Sequence, residues 1–293
     1  VNWALARAGG WRIVLRIEDL DGPRIKPGAA QALEDTLRWL GIDWDEGPLI
    51  QSADLAPYVQ ALRTLAERGA AYPCELSRAQ IEAAASAPQQ GTGEVHFPAS
   101  LRPAGFVPGQ PVPWPEDATT TGWRFATPPG EVVIDDVFAG RQVITPAETI
   151  GDLAIWTKRG TPSYQLAVVV DDARQGVTHV VRGNDLLDSA ARQRLLSRAL
   201  GLTPEPRYLH LPLVLGGDGK RLAKRHGDSR VETYRAAGVK PERLIALIAR
   251  WCGLGSPQAL TAREFADTLC LDRIPRGPVV FTPEDDQWLR SRE

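Results

Sequence analysis

Four short apolar runs in this chain each lead into a group of charged residues, and segments with helical spacing lie between them. The runs cover residues 12–17, 164–170, 177–181 and 208–215. The first ends in Glu18, Asp19 and Asp21, the second in Asp171 and Asp172, and the third in Arg182 and Asp185. The fourth meets the turn Gly216-Gly217-Asp218-Gly219, which leads to Lys220. Apolar residues three and four apart (Leu33, Leu37 and Leu40; Val59, Leu62 and Leu65) mark the intervening helices. Strand-like runs alternating with helices predict an α/β fold built on a parallel sheet. The unbroken apolar stretch from Leu166 to Val170 is read as a strand covered on both faces. Ligands of such sheets bind beyond the carboxyl ends of the strands, so charge at four strand ends predicts a functional site there.

The chain divides into four parts on pattern. Residues 1–71 read as α/β: a helix end closed by Gly9-Gly10, the strand at 12–17, and helices stopped by Gly41 and Gly69. Residues 72–150 form an insertion with a short helix whose capping box is Ser77 and Gln80. Its stretch 88–129, rich in Pro, Gly and Thr, has no helical period and is expected to be irregular or β-rich. The α/β pattern resumes over 151–228, with a helix at 189–200 capped by Gly201. Residues 229–293 read as a helical appendage, with Pro241 at one helix start and a Thr261–Glu264 capping box at another.

Composition excludes several classes. No apolar run approaches membrane-spanning length, and the start lacks the charged and apolar regions of a secretory signal. Cys74, Cys252 and Cys270 are few, odd in number and far apart, which suits a reducing, cytoplasmic setting and offers no disulfide framework. Net charge is −2, but from Lys158 to His226 twelve Lys and Arg face six Asp and Glu, a local excess compatible with a polyanionic partner. Only five lysines occur, and two of them, Lys220 and Lys224, lie four residues apart after the glycine turn, where mobile backbone can carry charge to a phosphate. The chain contains no methionine and opens Val1-Asn2-Trp3, so an upstream segment is expected to be absent from it.

Four stretches carry a resemblance: Arg16-Ile17-Glu18-Asp19-Leu20-Asp21-Gly22-Pro23-Arg24; Tyr164-Gln165-Leu166-Ala167-Val168-Val169-Val170-Asp171-Asp172; residues 176–189, centred on Arg182-Gly183-Asn184-Asp185; and Leu209-His210-Leu211-Pro212-Leu213-Val214-Leu215 running into the lysine loop. In this order they resemble the class I glutamyl-tRNA synthetase family over nearly all of residues 1–250, least over 86–130. Within the family the chain is most similar to short paralogues without an anticodon-binding domain. Fewer than seventy residues follow the lysine loop, and Tyr164-Gln165-Leu166 and Leu186-Leu187-Asp188-Ser189 look like the paralogue. The resemblance implies a Rossmann-like core and a monomer that uses ATP with Mg2+ to activate L-glutamate. The glutamyl group would then pass to the queuosine base of tRNA(Asp). Two alternatives stay open, a fragment of a synthetase that charges tRNA(Glu) and a non-catalytic paralogue that binds tRNA or nucleotide.

The resemblance also implies roles for residues. Arg221, Leu222, Ala223, Lys224 and Arg225 fall on the KMSKS-type loop, with Lys224 as the ATP-phosphate contact that offsets charge on the leaving pyrophosphate. Arg221 keeps positive charge where the family has a lysine, whereas Ala223 loses a hydroxyl. Asp185 falls near the ATP ribose or phosphates. Glu18 would meet the α-ammonium of glutamate, Tyr164 would line its pocket, and Arg182 would pair with its side-chain carboxylate. The HIGH-type motif, expected upstream of Val1, is absent from the chain, so the chain as it stands is expected to be inactive. Zinc, held in many paralogues by three cysteines and a tyrosine, is not expected. Cys74 alone remains, with Leu76, Phe97 and Leu101 at the other positions. An apolar cluster is expected in its place.

Overall fold

Helix, strand and helix succeed one another at the start of the chain as their spacing predicts. The computed structural model describes residues 1–22, 25–84, 95–222 and 230–291. Helix α1 (Asn2–Ala8) buries Ala4 and Ala6 and gives way to Gly9 and Gly10. Strand β1 (Val14–Ile17) follows, then helix α2 (Ala29–Trp39) and strand β2 (Glu46–Ile50). On α2 it is Thr36 that is buried, while Leu33 stays about half exposed. β1 and β2 pair in parallel, with a register shift between Val14 and Arg16. Gly47 fits that shift: at φ 95°, its missing Cβ would stand 2.3 Å from the carbonyl oxygen of Leu15.

The chain next forms helix α3 (Ala56–Glu67), strand β3 (Ala71–Pro73), helix α4 (Arg78–Ala84) and strand β4 (Trp123–Phe125). The capping box at α4 is present: Gln80 Oε1 accepts the Ser77 N–H at 2.8 Å and Ser77 Oγ accepts the Gln80 N–H at 3.3 Å. Between α4 and β4 the described residues are irregular, with one 3-10 turn at Ala99–Leu101. Strands β5 (Val132–Asp136) and β6 (Gly140–Ile144) make an antiparallel hairpin. Helix α5 (Pro146–Thr149) leads to strand β7 (Leu153–Trp156), and β3, β4 and β7 form an antiparallel sheet with β4 central.

The stretch 164–170 departs from expectation. It is not a strand but the first part of helix α6 (Tyr164–Arg174). The Ser163 hydroxyl caps it by accepting from the Leu166 N–H, and seven consecutive residues from Gln165 to Asp171 are buried. A helix enclosed on all sides has no polar face, so its apolar run matches that of a buried strand; only length separates them. Asp171 and Asp172 therefore mark no strand end. Asp171 is a buried helix residue that accepts from Gln51 Nε2 and from the Tyr58 hydroxyl, each at 2.8 Å.

Strand β8 (His179–Gly183), helix α7 (Leu187–Leu200) and strand β9 (Arg207–Leu211) follow, and β8 pairs with β9. Gly201 closes α7 in the left-handed conformation. The run at 208–215 forms two strands rather than one, with Pro212 and Leu213 between β9 and strand β10 (Val214–Leu215). Proline supplies no N–H for a ladder, which accounts for the break. Helices α8 (Val231–Ala236), α9 (Pro241–Trp251) and α10 (Ala262–Thr268) come next, the last with its Thr261–Glu264 capping box. Strand β11 (Val279–Val280) then pairs in parallel with β10, and helix α11 (Pro283–Arg290) ends the fold. The helical appendage thus also donates a strand.

Two compact units result. One comprises Val1–Ile50, Val181–Asp185 and His210–Glu293 and contains both parallel pairs, β1–β2 and β10–β11. Its core includes Leu244 and Leu247 of α9 against Tyr234, Val239 and Leu289; each such leucine, fully buried, stabilises by about 1.5–3 kcal/mol. The other comprises Gln51–Val180 and Leu186–Leu209 and contains the antiparallel sheet, the β5–β6 hairpin, α6 and α7. There Val132, Ile134 and Ile144 meet Ala190 and Ala191, small residues that let α7 lie close to the hairpin. No helix among the described residues is long and apolar enough to cross a membrane.

Candidate functional site

Most of the polar residues singled out in the sequence fall in the unit with the parallel pairs. Glu18 directly follows β1, its carboxylate partly exposed and 3.4 Å from the Arg16 guanidinium, which is itself mostly covered. A short strand thus delivers an anionic group to its own carboxyl end. Pro23 and Arg24 lie outside the described residues.

The ends of β8 and β9 bring further groups together. Arg182, half-buried on β8, donates from Nε to Nε2 of His210 on β9 at 2.9 Å. His210 is only 1% exposed. Next along β8, Gly183 permits a close approach, because a Cβ there would lie 2.6 Å from Asp185 Oδ1 and 2.9 Å from Leu213 Cδ2. The Asp185 carboxylate folds back over the strand end and accepts from Arg221 Nη1 at 2.6 Å. Arg221 stands at the base of a hairpin that starts with β10. The Leu222 N–H reaches the Val214 carbonyl at 2.9 Å and the Gly216 N–H reaches the Lys220 carbonyl at 2.8 Å. Two of the expected ATP-site residues, Asp185 and Arg221, are therefore ion-paired with each other. Ala223, Lys224 and Arg225 lie outside the described residues.

Tyr164 belongs to the other unit. It is the first residue of α6, and 44% exposure sets it apart from the enclosed residues after it. Gln165 turns inward, donating to Ser189 Oγ at 3.0 Å and accepting from Gln193 Nε2 at 2.9 Å, so buried amides tie the first turn of α6 to α7. Tyr164 borders a cavity of about 490 Å³, with Arg124, Asp152 and Ser163 among its polar walls and Leu76 and Ile81 among its apolar ones. Asp152 anchors this region. Its carboxylate accepts from the Tyr72 hydroxyl (2.6 Å), Arg102 Nε (2.6 Å) and Nη2 (2.7 Å), and the Thr127 N–H (2.9 Å). Burial, reinforced by the Asp152 carboxylate, pushes the Tyr72 phenol well above its usual range, and the same carboxylate raises Arg102 further.

Cys74, Leu76, Phe97 and Leu101 do share one place. All four belong to an apolar cluster with Tyr72, Ile81 and Ala126. One thiol among hydrocarbon side chains is not a donor set for a four-coordinate zinc ion. Among the described residues no group of three or more His, Cys, Asp or Glu could hold a metal.

Sequence reasoning missed His210, Asp152 and the Gln165–Ser189–Gln193 chain. For His210 a signal existed, a histidine within the otherwise apolar run 208–215. Asp152 gave none, because its donors are 25, 50 and 80 residues away.

Solved glutamate tRNA ligases share the fold: those of Elizabethkingia meningosepticum and Elizabethkingia anophelis superpose with TM-scores of 0.78 and 0.79 at 24% identity, over 98% of this chain and 64% and 65% of theirs. A protein named glutamyl-Q tRNA(Asp) synthetase from Symbiobacterium thermophilum is 45% identical over 96% of this chain and 89% of its own length. One of the same name from Rhodopirellula baltica is 41% identical over 94% and 88%. A glutamate–tRNA ligase from Nitrosospira multiformis is 36% identical over 99% of this chain but 61% of its own length. The family model of class I tRNA synthetases (E and Q), catalytic domain, matches residues 1–272, and the chain belongs to that family.

Proposed function

We propose that the protein activates L-glutamate with ATP and transfers the glutamyl group to the queuosine base of tRNA(Asp). The observation that carries this reading is the order of identities: relatives bearing the glutamyl-Q tRNA(Asp) name resemble the chain more closely than the glutamate–tRNA ligase does. Glu18 at the end of β1 suits the α-ammonium of glutamate and Arg182 its side-chain carboxylate, and Tyr164 keeps the glutamate-binding role that the resemblance implies. Asp185 and Arg221 serve ATP together with Lys224, whose charge would stabilise the departing pyrophosphate, and Mg2+ accompanies the nucleotide. The insertion over residues 72–150 and the appendage from 229 are the parts that meet tRNA. The protein works as a cytoplasmic monomer and needs no zinc.

The test uses the full-length gene product with ATP, labelled glutamate, and separate tRNA(Asp) and tRNA(Glu) pools with and without queuosine. Label is expected only in queuosine-containing tRNA(Asp). Label in tRNA(Glu) would favour an ordinary glutamate–tRNA ligase, and no label in any pool a non-catalytic binder.

A further inference from the structure

We infer that β11 is a positioning strand for the nucleotide site: it holds β10 in place, and through β10 the hairpin arm that carries Arg221. The inference rests on the proposed role of Arg221 and Asp185 toward ATP. The match to the family model ends at residue 272, so β11 and α11 lie beyond it. β10 is only two residues long and is separated from β9 by Pro212 and Leu213. One edge of β10 meets the arm that returns from the glycine turn. There Leu215 bridges Arg221, and the Leu222 N–H donates to the Val214 carbonyl at 2.9 Å. The other edge meets β11 in parallel, with Val214 opposite Val279 and Leu215 opposite Val280. There the Val279 N–H donates to the Leu213 carbonyl at 3.1 Å, and the Phe281 N–H to the Leu215 carbonyl at 2.9 Å. β10 therefore runs between two partners.

A hairpin of two strands is marginal in water, and a third strand is what gives such a unit stability of its own. β11 supplies that strand and is itself held at its far end. The Phe281 ring stands edge-on to Trp251 of α9, with centroids 6.2 Å apart. Thr282 then caps α11 by accepting from the Asp285 N–H at 3.2 Å, and Leu289 of α11 is 2% exposed in the core that includes Leu244 and Leu247. Support thus runs from α9 through α11, β11 and β10 to the hairpin arm. At its end Arg221 Nη1 meets Asp185 at 2.6 Å. The Arg221 side chain is 70% exposed, so little besides its own backbone fixes where it starts. On a fraying arm it would have to be ordered each time nucleotide binds, at a cost in affinity, whereas on a pinned arm much of that order exists beforehand.

The experiment compares Val279→Pro, Val280→Pro and Arg221→Gln in the full-length gene product. It reads hydrogen exchange of the Leu222 amide by NMR, and KM for ATP and for glutamate by ATP–pyrophosphate exchange. Val279→Pro removes a donor to β10, whereas Val280→Pro places the same ring where the strand's N–H points away from β10. In Val279→Pro the Leu222 amide, on the edge of β10 opposite β11, should exchange about tenfold faster, the scale of one hydrogen bond lost from a local unit. KM for ATP should rise about threefold or more while KM for glutamate stays within about twofold, because one substrate alone is affected. Val280→Pro should leave all three within about twofold. If KM for ATP is unchanged in Val279→Pro but rises in Arg221→Gln, the inference is wrong and the ATP assignment stands. An unchanged Leu222 exchange rate in Val279→Pro also overturns the inference. If both KM values rise alike, or Val280→Pro behaves as Val279→Pro does, the role is structural and the inference falls. An unchanged KM for ATP in Arg221→Gln overturns the ATP assignment and the inference with it. Should Val279→Pro not fold, Phe281→Ala, which keeps its N–H but loses the ring against Trp251, takes its place with the same outcomes.

Discussion

Replacing Asp152 by asparagine is expected to destabilise the unit containing the antiparallel sheet by about 3 kcal/mol. The side chain of Asp152 is 2% exposed, and its two oxygens accept four hydrogen bonds, two of them from Arg102. Asparagine keeps the shape and one acceptor, but its NH2 faces donors, so about two of the four bonds are lost. Each is worth about 1 kcal/mol, and more where the donor is charged. The larger effect is on Arg102, which would keep its charge without its partner. Losing one member of a buried pair typically costs about 3–5 kcal/mol, and the 20% exposure of Arg102 places this case at the lower end. At about 2–4 °C per kcal/mol, the melting temperature should fall by roughly 6–12 °C. Urea unfolding followed by circular dichroism and tryptophan fluorescence measures the change. A double-mutant cycle with Arg102→Gln should give a coupling above about 1 kcal/mol. A loss below about 1 kcal/mol, the scale of an exposed ion pair, or strict additivity in the cycle would refute the argument.

Three further outcomes are expected. Lys224→Ala should lower the ATP–pyrophosphate exchange rate by at least about tenfold while leaving the melting temperature unchanged; an unaltered rate would remove Lys224 from the chemistry. Purified protein should carry no stoichiometric zinc and lose no stability to a chelator, and one tightly bound equivalent would contradict the apolar reading of Cys74, Leu76, Phe97 and Leu101. In acid, Arg7→Gln should flatten the fall in stability of the unit that contains α1. Burial pushes Asp43 up, but hydrogen bonds from Trp3 and Arg7 outweigh it; bonds from Arg7 and the Ile13 N–H lower Asp45. Carboxylates lowered in the fold contribute stability that is present above about pH 4 and lost as pH falls through their lowered values. An acid unfolding midpoint unchanged in Arg7→Gln would show that this ion cluster is irrelevant to stability.

Local chemistry was legible without coordinates. The capping boxes at Ser77–Gln80 and Thr261–Glu264, the proline at the first turn of α9 and the glycine that closes α7 each need only a few neighbouring residues, and each appears where the spacing put it. The strand ends carrying Glu18, and Arg182 with Asp185, were legible for the same reason. So was the family, which lies in the order of motifs rather than in any contact. Tertiary structure alone decided the rest. Residues 165–170 became part of a buried helix because their surroundings enclose every face, and an apolar run does not record how it will be covered. Val279 and Val280 became a strand only because β10 lies beside them. The partners of Asp152 and the Arg182–His210 bond join residues 25 to 80 positions apart, and the partners of a buried charge are chosen by packing, not by sequence distance.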